Sequence, residues 1–566
     1  MIDRKMLPMK TDVKYFQSSL TTILALSVLF AGMPAFAAPP DAGRLLEEVR
    51  PAPALPQPKV PATRVEEQAP ASAPDGIRFA VKGVHISGQS VFTEAELLVL
   101  VSDSVGKELS MDDLNKLAER ITLHYRQRGY LMARAYLPAQ EIRDGQVEIA
   151  VLEGRLGKVE VNNTAGLASS VLAQVSSLPP GKPLRVNELE GSLLTLADIP
   201  GVEVKSTLRP GEAIGTSDLL VEVAPGKEVN GSIDFDTYGN RYVGANRIGA
   251  SLYFNNPLKR GDQLSIRLQT SGEGLDYSHA GYQLPVGNAG TRIGVAWSEM
   301  SYRLGREFAA LATNGEASVG SVHAQHPLLR RRALNLYGQA RFETKRLTDR
   351  IGISATQMDK ALDNWTAGFN GNNADGLGWG GGSGGSNSFA LSYTKGNLGL
   401  DAVSLVIDGA TAQSSGRFGK ISGSFQRLQR LPGAASLYFS FAGQRADKNL
   451  DSAEKFSLGG IYGVRAYPQG EANGDEGQLL TAELRWRAND AWQFKGFYDD
   501  GRTKINRKPW VAGNNDRHLT GVGMGAVYDT GKVSTSLLAA WRAGTGSPTS
   551  DTDRKPRIWF QAVKYF

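Results

Sequence analysis

The alternation that decides the fold of this chain is plain in Gln263-Leu264-Ser265-Ile266-Arg267-Leu268-Gln269-Thr270-Ser271. Leu264, Ile266 and Leu268 share one face of an extended strand, and polar residues occupy the other face. Segments of roughly ten residues with this alternation recur about sixteen times between 227 and 566, which is typical of a transmembrane antiparallel β-barrel. Because the polar faces carry arginine and glutamate, we expect a hydrated lumen. A soluble β-sandwich is the alternative.

The N-terminal residues predict export from the cytoplasm. Four basic residues precede an apolar run at 20–30, and Ala35-Phe36-Ala37 then offers a small-residue cleavage site, so residues 1–37 are predicted to be a signal peptide. The formal net charge is +6, and removal of this segment, with four basic and two acidic residues, would leave +4. Such a weak charge without a basic block gives no indication of nucleic-acid binding. The chain has no cysteine, which excludes disulfides and thiolate metal sites.

A short helix and a linker are predicted after the cleavage site. Residues 38–50 contain Leu45, Leu46 and Val49 at helical spacing, although a helix of this length is marginal when isolated. Residues 51–77 are rich in proline and alanine, which favours an extended and semi-rigid spacer. The helix is therefore expected either to fray or to dock elsewhere on a tether.

Two repeats of the order strand, helix, helix, strand, strand follow at 78–153 and 154–226. In the first repeat, Thr93 with Glu96 and Ser110 with Asp113 have the spacing that starts a helix with reciprocal capping hydrogen bonds. Each repeat predicts a small α+β domain in which helices cover one face of a sheet. The other face and a sheet edge are expected to remain available to a partner, and 111–128 with 131–137 are candidate docking segments.

Connection lengths predict the orientation of the barrel. The short turns at 256–262 and 285–290 are assigned to the periplasmic side, and the longer segments 347–360, 371–385, 396–417 and 448–476 to the outside. The last of these is unusually long for a connection. It contains Gly459-Gly460-Ile461-Tyr462-Gly463-Val464-Arg465-Ala466-Tyr467-Pro468, with one arginine among glycines and aromatic residues.

The whole mature chain resembles the two-partner secretion outer-membrane transporters (TpsB proteins of the FhaC/ShlB/HecB type, within the POTRA-barrel superfamily). Three segments carry the resemblance. They are Asp236 to Arg247, with the spacing Asp-x-x-Gly-x-x-x-x-Gly-x-x-Arg, then Val464-Arg465-Ala466-Tyr467, which is similar to a Val-Arg-Gly-Tyr signature, and Phe497-Tyr498-Asp499-Asp500-Gly501.

The resemblance implies a sixteen-stranded barrel (227–566) preceded by two periplasmic POTRA domains (78–153 and 154–226) and a plug helix (38–50) that rests in the pore. It also implies that the loop at about 448–476 folds into the lumen and that Arg465 meets Asp499 on the barrel wall, with Asp500 as an alternative partner. The functional residues that the resemblance predicts form three sets. The loop motif contains Gly463, Val464, Arg465, Ala466 and Tyr467, the barrel-wall motif contains Phe497, Asp499 and Gly501, and the plug helix contains Leu45, Leu46 and Val49. Ala466 replaces the signature glycine and would be strained if the position needs a positive φ.

The function implied is secretion of an unfolded TpsA-type partner protein, such as a haemolysin or adhesin, across the outer membrane of a Gram-negative bacterium. A barrel-assembly factor and a passive porin are the alternatives. Further partners expected are outer-membrane lipid and lipopolysaccharide, and barrel-assembly machinery that reads the terminal Phe566. No enzymatic activity, catalytic residue, cofactor or metal is predicted, since His323 and His326 fall on opposite faces of a strand.

Overall fold

The computed structural model describes residues 39–49, 62–65, 78–130, 132–183, 185–213, 215–377 and 383–566, with the backbone alone at 62–65, 186 and 187. The predicted signal peptide and most of the predicted linker lie outside the described residues. Within those residues no helix is both long and apolar enough to cross a membrane.

Sixteen antiparallel strands form a closed barrel in which each strand pairs with its neighbours in sequence and the last strand pairs with the first. The predicted fold class is thereby confirmed. The strands are β10 (Val229–Asp236), β11 (Arg247–Asn255), β12 (Gln263–Thr270), β13 (Leu275–Val286), β14 (Thr291–Arg303), β15 (Thr313–Arg330), β16 (Leu334–Ile351), β17 (Thr356–Asp375), β18 (Gly385–Leu400), β19 (Gly416–Arg430), β20 (Ala435–Ala446), β21 (Glu476–Arg487), β22 (Trp492–Lys504), β23 (Asp516–Asp529), β24 (Val533–Arg542) and β25 (Arg557–Tyr565).

The alternation of β12 separates lipid from lumen as its sequence predicts. Ile266 lies opposite Leu252 of β11 and Ala280 of β13, so an apolar band continues from strand to strand on the outer face. Five tryptophans on the outer face remain solvent-exposed in the isolated chain: Trp297, Trp365, Trp486, Trp492 and Trp541. Exposed aromatic residues are typical of the two membrane interfaces of such a barrel.

The first α+β unit contains five short strands and two α-helices. Its sheets have the orders β3-β6-β5 and β2-β4, and both predicted capping boxes are present, at Thr93 and Ser110. The elements are β2 (Arg78–Ala80), β3 (Gly83–Ser87), α2 (Glu94–Leu98), a 3₁₀ turn (Val99–Ser104), β4 (Glu108–Ser110), α3 (Met111–Gln127), β5 (Arg134–Tyr136) and β6 (Gln146–Leu152).

The second unit repeats this architecture with one addition at its sheet edge. Its strands β7 (Arg155–Asn163), β8 (Val202–Pro210) and β9 (Thr216–Pro225) are covered by α4 (Ser169–Ser176) and α5 (Val186–Ala197). The short strand β1 (Ala62–Val65), from the predicted linker, pairs in parallel with β8. The expectation of a free sheet edge is therefore wrong at β8, because the chain covers that edge with its own backbone.

The predictions of external loops at 347–360 and 371–385 are wrong. Residues 347–360 lie mostly in β16 and β17, which are long strands and leave only a short turn containing a 3₁₀ segment (Gly352–Ser354). The connection between β17 and β18 lies on the periplasmic side, since the sequential antiparallel order places it on the same side as the 256–262 turn. Composition does not reveal where a strand leaves the membrane. The connection between β18 and β19 is external and contains α6 (Ala402–Ala410).

Charged contacts attach the second α+β unit to the periplasmic end of the barrel. The Arg330 guanidinium at the end of β15 donates two hydrogen bonds of 2.8 Å to the Asp198 carboxylate, which follows α5. Arg332 pairs with Glu190 at 2.8 Å, and the Ala168 N–H donates to the Lys259 carbonyl at 2.9 Å. These contacts fix the unit beneath the lumen opening.

We expect Asp198→Asn to loosen this attachment, because the Arg330 side chain, only 6 % exposed, would lose its charged partner. Asp198 is partly exposed, so the local cost should be about 2 kcal/mol, less than for a fully buried pair. Hydrogen–deuterium exchange of α5 and of the 331–333 turn in the full chain should accelerate, with Glu203→Gln on the exposed face of β8 as control. Unchanged exchange rates would show that the Arg330–Asp198 pair does not hold the second α+β unit on the barrel.

Candidate functional site: the lumen loop and the helix inside the barrel

The connection between β20 and β21, residues 447–475, folds into the barrel and is called the lumen loop below. Its Leu458, Val464, Ala466 and Tyr467 side chains are almost completely buried. They pack against side chains of the barrel wall: Tyr238, Phe497, Leu519, Leu538, Ala540 and Trp559. The ends of the inserted segment are joined by two backbone hydrogen bonds between Phe456 and Gly474, of 2.7 and 2.9 Å.

Arg465 lies at the centre of this contact and is 5 % exposed. Its Nε and Nη2 donate to the two carboxylate oxygens of Asp499 at 2.9 and 2.7 Å, and its backbone N–H donates to the same carboxylate at 3.1 Å. Its Nη1 donates to Glu483 at 2.5 Å. A bidentate guanidinium–carboxylate pair fixes orientation as well as distance.

Aromatic groups complete the surroundings of Arg465. The guanidinium carbon lies 3.5 Å from the ring centroid of Phe497, so that the ring covers one face of the cation. The Trp559 indole N–H donates to the Arg465 carbonyl at 2.8 Å. Burial by itself would lower the pKa of Arg465, but Asp499 and Glu483 outweigh it and raise the pKa, so the loop arginine stays charged.

The predicted site residues divide into those the structure brings together and those it does not. Arg465 and Asp499 are in contact, whereas Asp500, the alternative partner, points to the outer face and accepts from His518 at 2.8 Å. The alternative is therefore wrong, since neighbouring residues of a strand face opposite sides. Glu483 was missed, although its place between Thr481 and Arg485 on the polar face of β21 was a usable signal.

The motif glycines make room for this packing. A Cβ at Gly463 would lie 2.0 Å from the Leu458 carbonyl oxygen, and one at Gly501 would lie 2.3 Å from the Leu458 side chain. Ala466 has no positive φ, so the strain considered for an alanine at this position is absent. Its methyl group instead faces Gly521 of β23, where an added Cβ would lie 2.8 Å away.

A second anchor of the lumen loop was not predicted. Glu471 is fully buried and accepts hydrogen bonds from the backbone and hydroxyl groups of Thr549 and Ser550, at 2.7 to 2.9 Å. Arg517 donates to the same carboxylate at 2.5 Å. The external segment that joins β24 to β25 therefore holds the lumen loop through a second buried charge, separate from the contacts of Arg465.

The helix α1 (Ala42–Val49), called the plug helix below, lies inside the barrel. Ala42, Leu45, Leu46 and Val49 are at most 4 % exposed. They belong to an apolar cluster with wall residues that include Tyr277, Met300, Tyr302, Leu347 and Phe418 and with Leu450 and Ala453 of the lumen loop. The three predicted plug residues are thus all on its buried side.

Polar groups of the barrel wall form hydrogen bonds with both ends of the plug helix. At its N-terminus, the Ala42 N–H donates to Asp349 at 2.8 Å. At its C-terminus, Arg247 donates to the Glu48 carbonyl at 3.3 Å while pairing with Asp236 at 2.9 Å. An acid at the N-terminus and a base at the C-terminus both stabilise a helix. Asp236 and Arg247 are the first and last residues of the motif at 236–247, and together they stabilise the C-terminus of the plug helix.

The lumen loop also contacts the plug helix directly. Ser452 Oγ donates to Asp41 at 2.7 Å, and Arg44 donates to the Gly470 carbonyl at 2.5 Å. A Cβ at Gly43 would lie 2.5 Å from Ser452 Oγ, so this glycine permits the close approach. Within the described residues no cluster of three or more potential ligands could hold a metal ion.

The comparisons with known proteins agree with this architecture. Residues 215–528 match the family model described as haemolysin secretion/activation protein ShlB/FhaC/HecB, and residues 79–154 match the ShlB-type POTRA domain. The chain belongs to the ShlB/FhaC/HecB family. The family consists of transporters, and this member is an outer-membrane protein-secretion transporter with a periplasmic POTRA module.

Relatives in this family are similar over most of their length. The heme/hemopexin transporter protein HuxB of Haemophilus influenzae strain Rd is 28 % identical, with 87 % of this chain and 88 % of the relative covered. The outer membrane transporter CdiB of Escherichia coli strain 536 is 26 % identical over 73 % of this chain and 70 % of its own. The solved structure of CdiB from Escherichia coli has the same fold, with a TM-score of 0.68 at 20 % identity over 99 % of this chain and 100 % of that chain.

Replacement of Arg465 by alanine should undock the tip of the lumen loop. The change leaves Asp499 buried without its cation, which typically costs about 3–5 kcal/mol, whereas Glu483 keeps Arg485 at 2.7 Å. Hydrogen exchange or protease cleavage within 456–474 should increase strongly. Arg465→Lys should be intermediate, because an ammonium cannot form the bidentate pair.

Arg502→Ala, which removes an exposed arginine from β22, is the matched control and should change nothing. Equal protection of the loop in Arg465→Ala and the parent protein would contradict the proposed importance of the pair.

Acid should release the second anchor of the loop. Burial alone would raise the pKa of Glu471, but the groups of Ser550, Thr549 and Arg517 outweigh burial and hold the pKa below its ordinary value of 4.5. A carboxyl with a lowered pKa favours the docked state above its ordinary pKa and loses that contribution as the pH falls through the lowered value. Docking should therefore be constant near neutral pH and weaken only below pH 4.5.

The chain has no cysteine, so a single dye on Thr545→Cys can report this transition by fluorescence. Glu471→Gln should remove the pH dependence. A transition of equal size and midpoint in that variant would show that another group is responsible.

Proposed function

We propose that this transporter secretes one dedicated, TpsA-type partner protein in an extended conformation through the barrel lumen. The relatives are named as heme/hemopexin and hemolysin transporters and as CdiB. From them we take only the class of cargo, a large exported protein. We propose no enzymatic step and no cofactor, because passage of an extended chain requires a path and a driving force rather than bond chemistry.

The observation that carries the proposal is the way in which the lumen is filled. The wall is complete without the plug helix, which enters from the N-terminal part of the chain and forms no strand of the barrel. On the periplasmic side of the plug helix, a cavity of about 850 Å³ is lined by neutral polar residues such as Ser321, Gln325 and Thr366, together with apolar side chains and a few charged ones. Departure of the plug helix would join this cavity to the outside, and neutral hydrogen-bonding groups suit a chain of varied sequence.

The two POTRA units are proposed to receive the cargo by adding it to a sheet edge. Backbone hydrogen bonds at an edge bind an extended chain with little regard to its sequence. β5 is an edge strand of the first unit and β7 of the second, whereas β8 is covered by β1. A cargo strand can therefore add to β5 or β7, or to β3 at the other edge of the three-stranded sheet, or it can replace β1 on β8.

The lumen loop is proposed to keep the barrel wall ordered while the cargo passes. Arg465 joins the loop to β21 and β22, and Trp559 of β25 donates to the same residue. The loop therefore connects strands close to the seam where β25 meets β10. We infer that Arg465 acts as a latch that remains closed when the plug helix leaves.

Other proposed partners concern the membrane. The outer apolar band would contact outer-membrane lipid and lipopolysaccharide. The backbone of the terminal Phe566 forms hydrogen bonds of 3.1 and 3.2 Å with Gly231, so that the residue expected to be read by barrel-assembly machinery is built into the seam.

A barrel-assembly factor is the second candidate, and the seam is the feature that favours it. The strand pairing of β10 with β25 covers 232–236 and 561–565, with backbone hydrogen bonds from Gly231 to Phe566 and from Thr237 to Phe560 at its two ends, and it is shorter than the pairing between other neighbouring strands of the barrel. A short seam suits lateral opening. The solved structure of BamA from Haemophilus ducreyi lacking POTRA domains 1–3 has a TM-score of 0.53 at 14 % identity, which shows a shared fold alone.

The decisive experiment is deletion of the gene in a strain that produces the partner protein encoded beside it. Loss of that protein alone from the surface or medium, with other outer-membrane proteins at normal levels, is expected. Restoration should require the full chain, and Arg465→Ala at equal barrel levels should reduce export. General loss of outer-membrane barrels would favour the assembly factor instead.

A further inference from the structure

Two lysines on the barrel wall are each shared between the plug helix and the lumen loop. Lys360 of β17 lies 3.0 Å from Asp41, which precedes the plug helix, and 3.1 Å from Asp451 of the lumen loop. Its third carboxylate, Asp349 of β16, is 3.9 Å away. The Lys360 side chain is 15 % exposed, so these charges meet in a confined space.

Lys345 repeats the arrangement further along the helix. Its Nζ lies 3.8 Å from Glu47 of the plug helix, 2.7 Å from Glu454 of the lumen loop and 3.3 Å from Glu343 of the wall. Only 1 % of its side chain is exposed. In both places one ammonium group is therefore approached by three carboxylates, one from each part of the structure.

We propose that the loop carboxylates Asp451 and Glu454 oppose the plug helix, by competing with Asp41 and Glu47 for the same lysines and by keeping those lysines paired after the helix leaves. This inference rests on the proposed function, in which the plug helix departs. It assigns to the lumen loop a role in lowering the barrier to opening, in addition to its attachment through Arg465.

Electrostatics determines the sign of the effect. Asp41 and Asp451 both lie about 3 Å from one Nζ, so the two negative charges are close to each other and repel. That repulsion is present only while the plug helix is in place, and it weakens the binding of the helix. Neutralising Asp451 removes the repulsion and leaves the attraction between Asp41 and Lys360 intact.

The pairs that remain also lower the cost of opening. A buried charge that loses its only partner is strongly destabilised. When the plug helix leaves, Lys360 keeps Asp451 and Asp349, and Lys345 keeps Glu454 and Glu343. The departing carboxylates enter water, so neither side is left with an unpaired buried charge.

Hydrogen bonds of the same carboxylates and of Asp41 must be held constant in a test. Ser452 donates to Asp41, and Asp451 accepts from the Ala453 N–H at 3.0 Å. An asparagine at 451 keeps an acceptor for that N–H. Likewise Glu454 accepts from Asn364 at 2.7 Å, a role that a glutamine amide oxygen can retain.

The test measures departure of the plug helix without cargo. Ala42→Cys places a single thiol on a residue that is fully buried, in a chain with no other cysteine, so its rate of maleimide labelling reports the open fraction. Asp41→Asn should accelerate labelling, because it removes the attraction to Lys360. Asp451→Asn should slow labelling, by about fivefold for repulsion between charges at this separation. Glu454→Gln should slow labelling less, because Lys420 also pairs with Glu454 at 2.8 Å.

Asp363→Asn, on the outer face of β17, is the control and should match the parent protein. In the Asp41→Asn background, Asp451→Asn should have little further effect, because the two changes act through one lysine. Heat-modifiable migration of each variant should confirm an intact barrel.

The outcomes separate this inference from the proposed function. If Asp41→Asn accelerates labelling but Asp451→Asn accelerates it or leaves it unchanged, the loop does not oppose the plug helix. That result would still agree with departure of the plug helix. A thiol that is never labelled in any variant, with or without cargo, overturns plug departure and with it this inference.

Discussion

The ion pair between Arg465 and Asp499 is the interaction on which the arrangement inside the barrel depends. It brings together residues from a long loop and a wall strand, and it excludes water by means of Phe497, Val464 and Leu458. Glu483 supplies a second negative charge, so the guanidinium is matched on more than one edge. Because so many donors converge on buried carboxylates, the loop has one well-defined position. In this position the loop presents a surface against which the plug helix packs.

The plug helix is held by a different balance of forces. Its apolar side is buried as completely as a helix in a protein core, yet its charged residues meet lysines that have other partners. Such a helix has good packing and helix-end contacts but little exclusive electrostatic attraction. Shared ion pairs therefore position the helix while each lysine also has partners in the wall and in the lumen loop.

Outside the lumen, the same chain controls which surfaces are free. The second α+β unit is attached to the barrel by Arg330 and Asp198, and its β8 edge is covered by residues 62–65. The segment that covers this edge lies between the plug helix and the first POTRA unit in sequence. The strand that covers β8 and the helix inside the barrel are therefore parts of one continuous stretch of chain.

The sequence by itself determined the barrel, the two βααββ repeats and the helix near residue 45, because these follow from local periodicity and capping residues. The pairing of Arg465 with Asp499 was expected only because two motifs resemble those of a known family. Only the tertiary structure decided that Glu483 and Glu471 anchor the loop, that β1 covers β8, that the 371–385 connection is periplasmic, and that Lys345 and Lys360 are shared. The reason is physical: alternation tells which face of a strand a residue occupies, but not which distant charge meets it across the lumen.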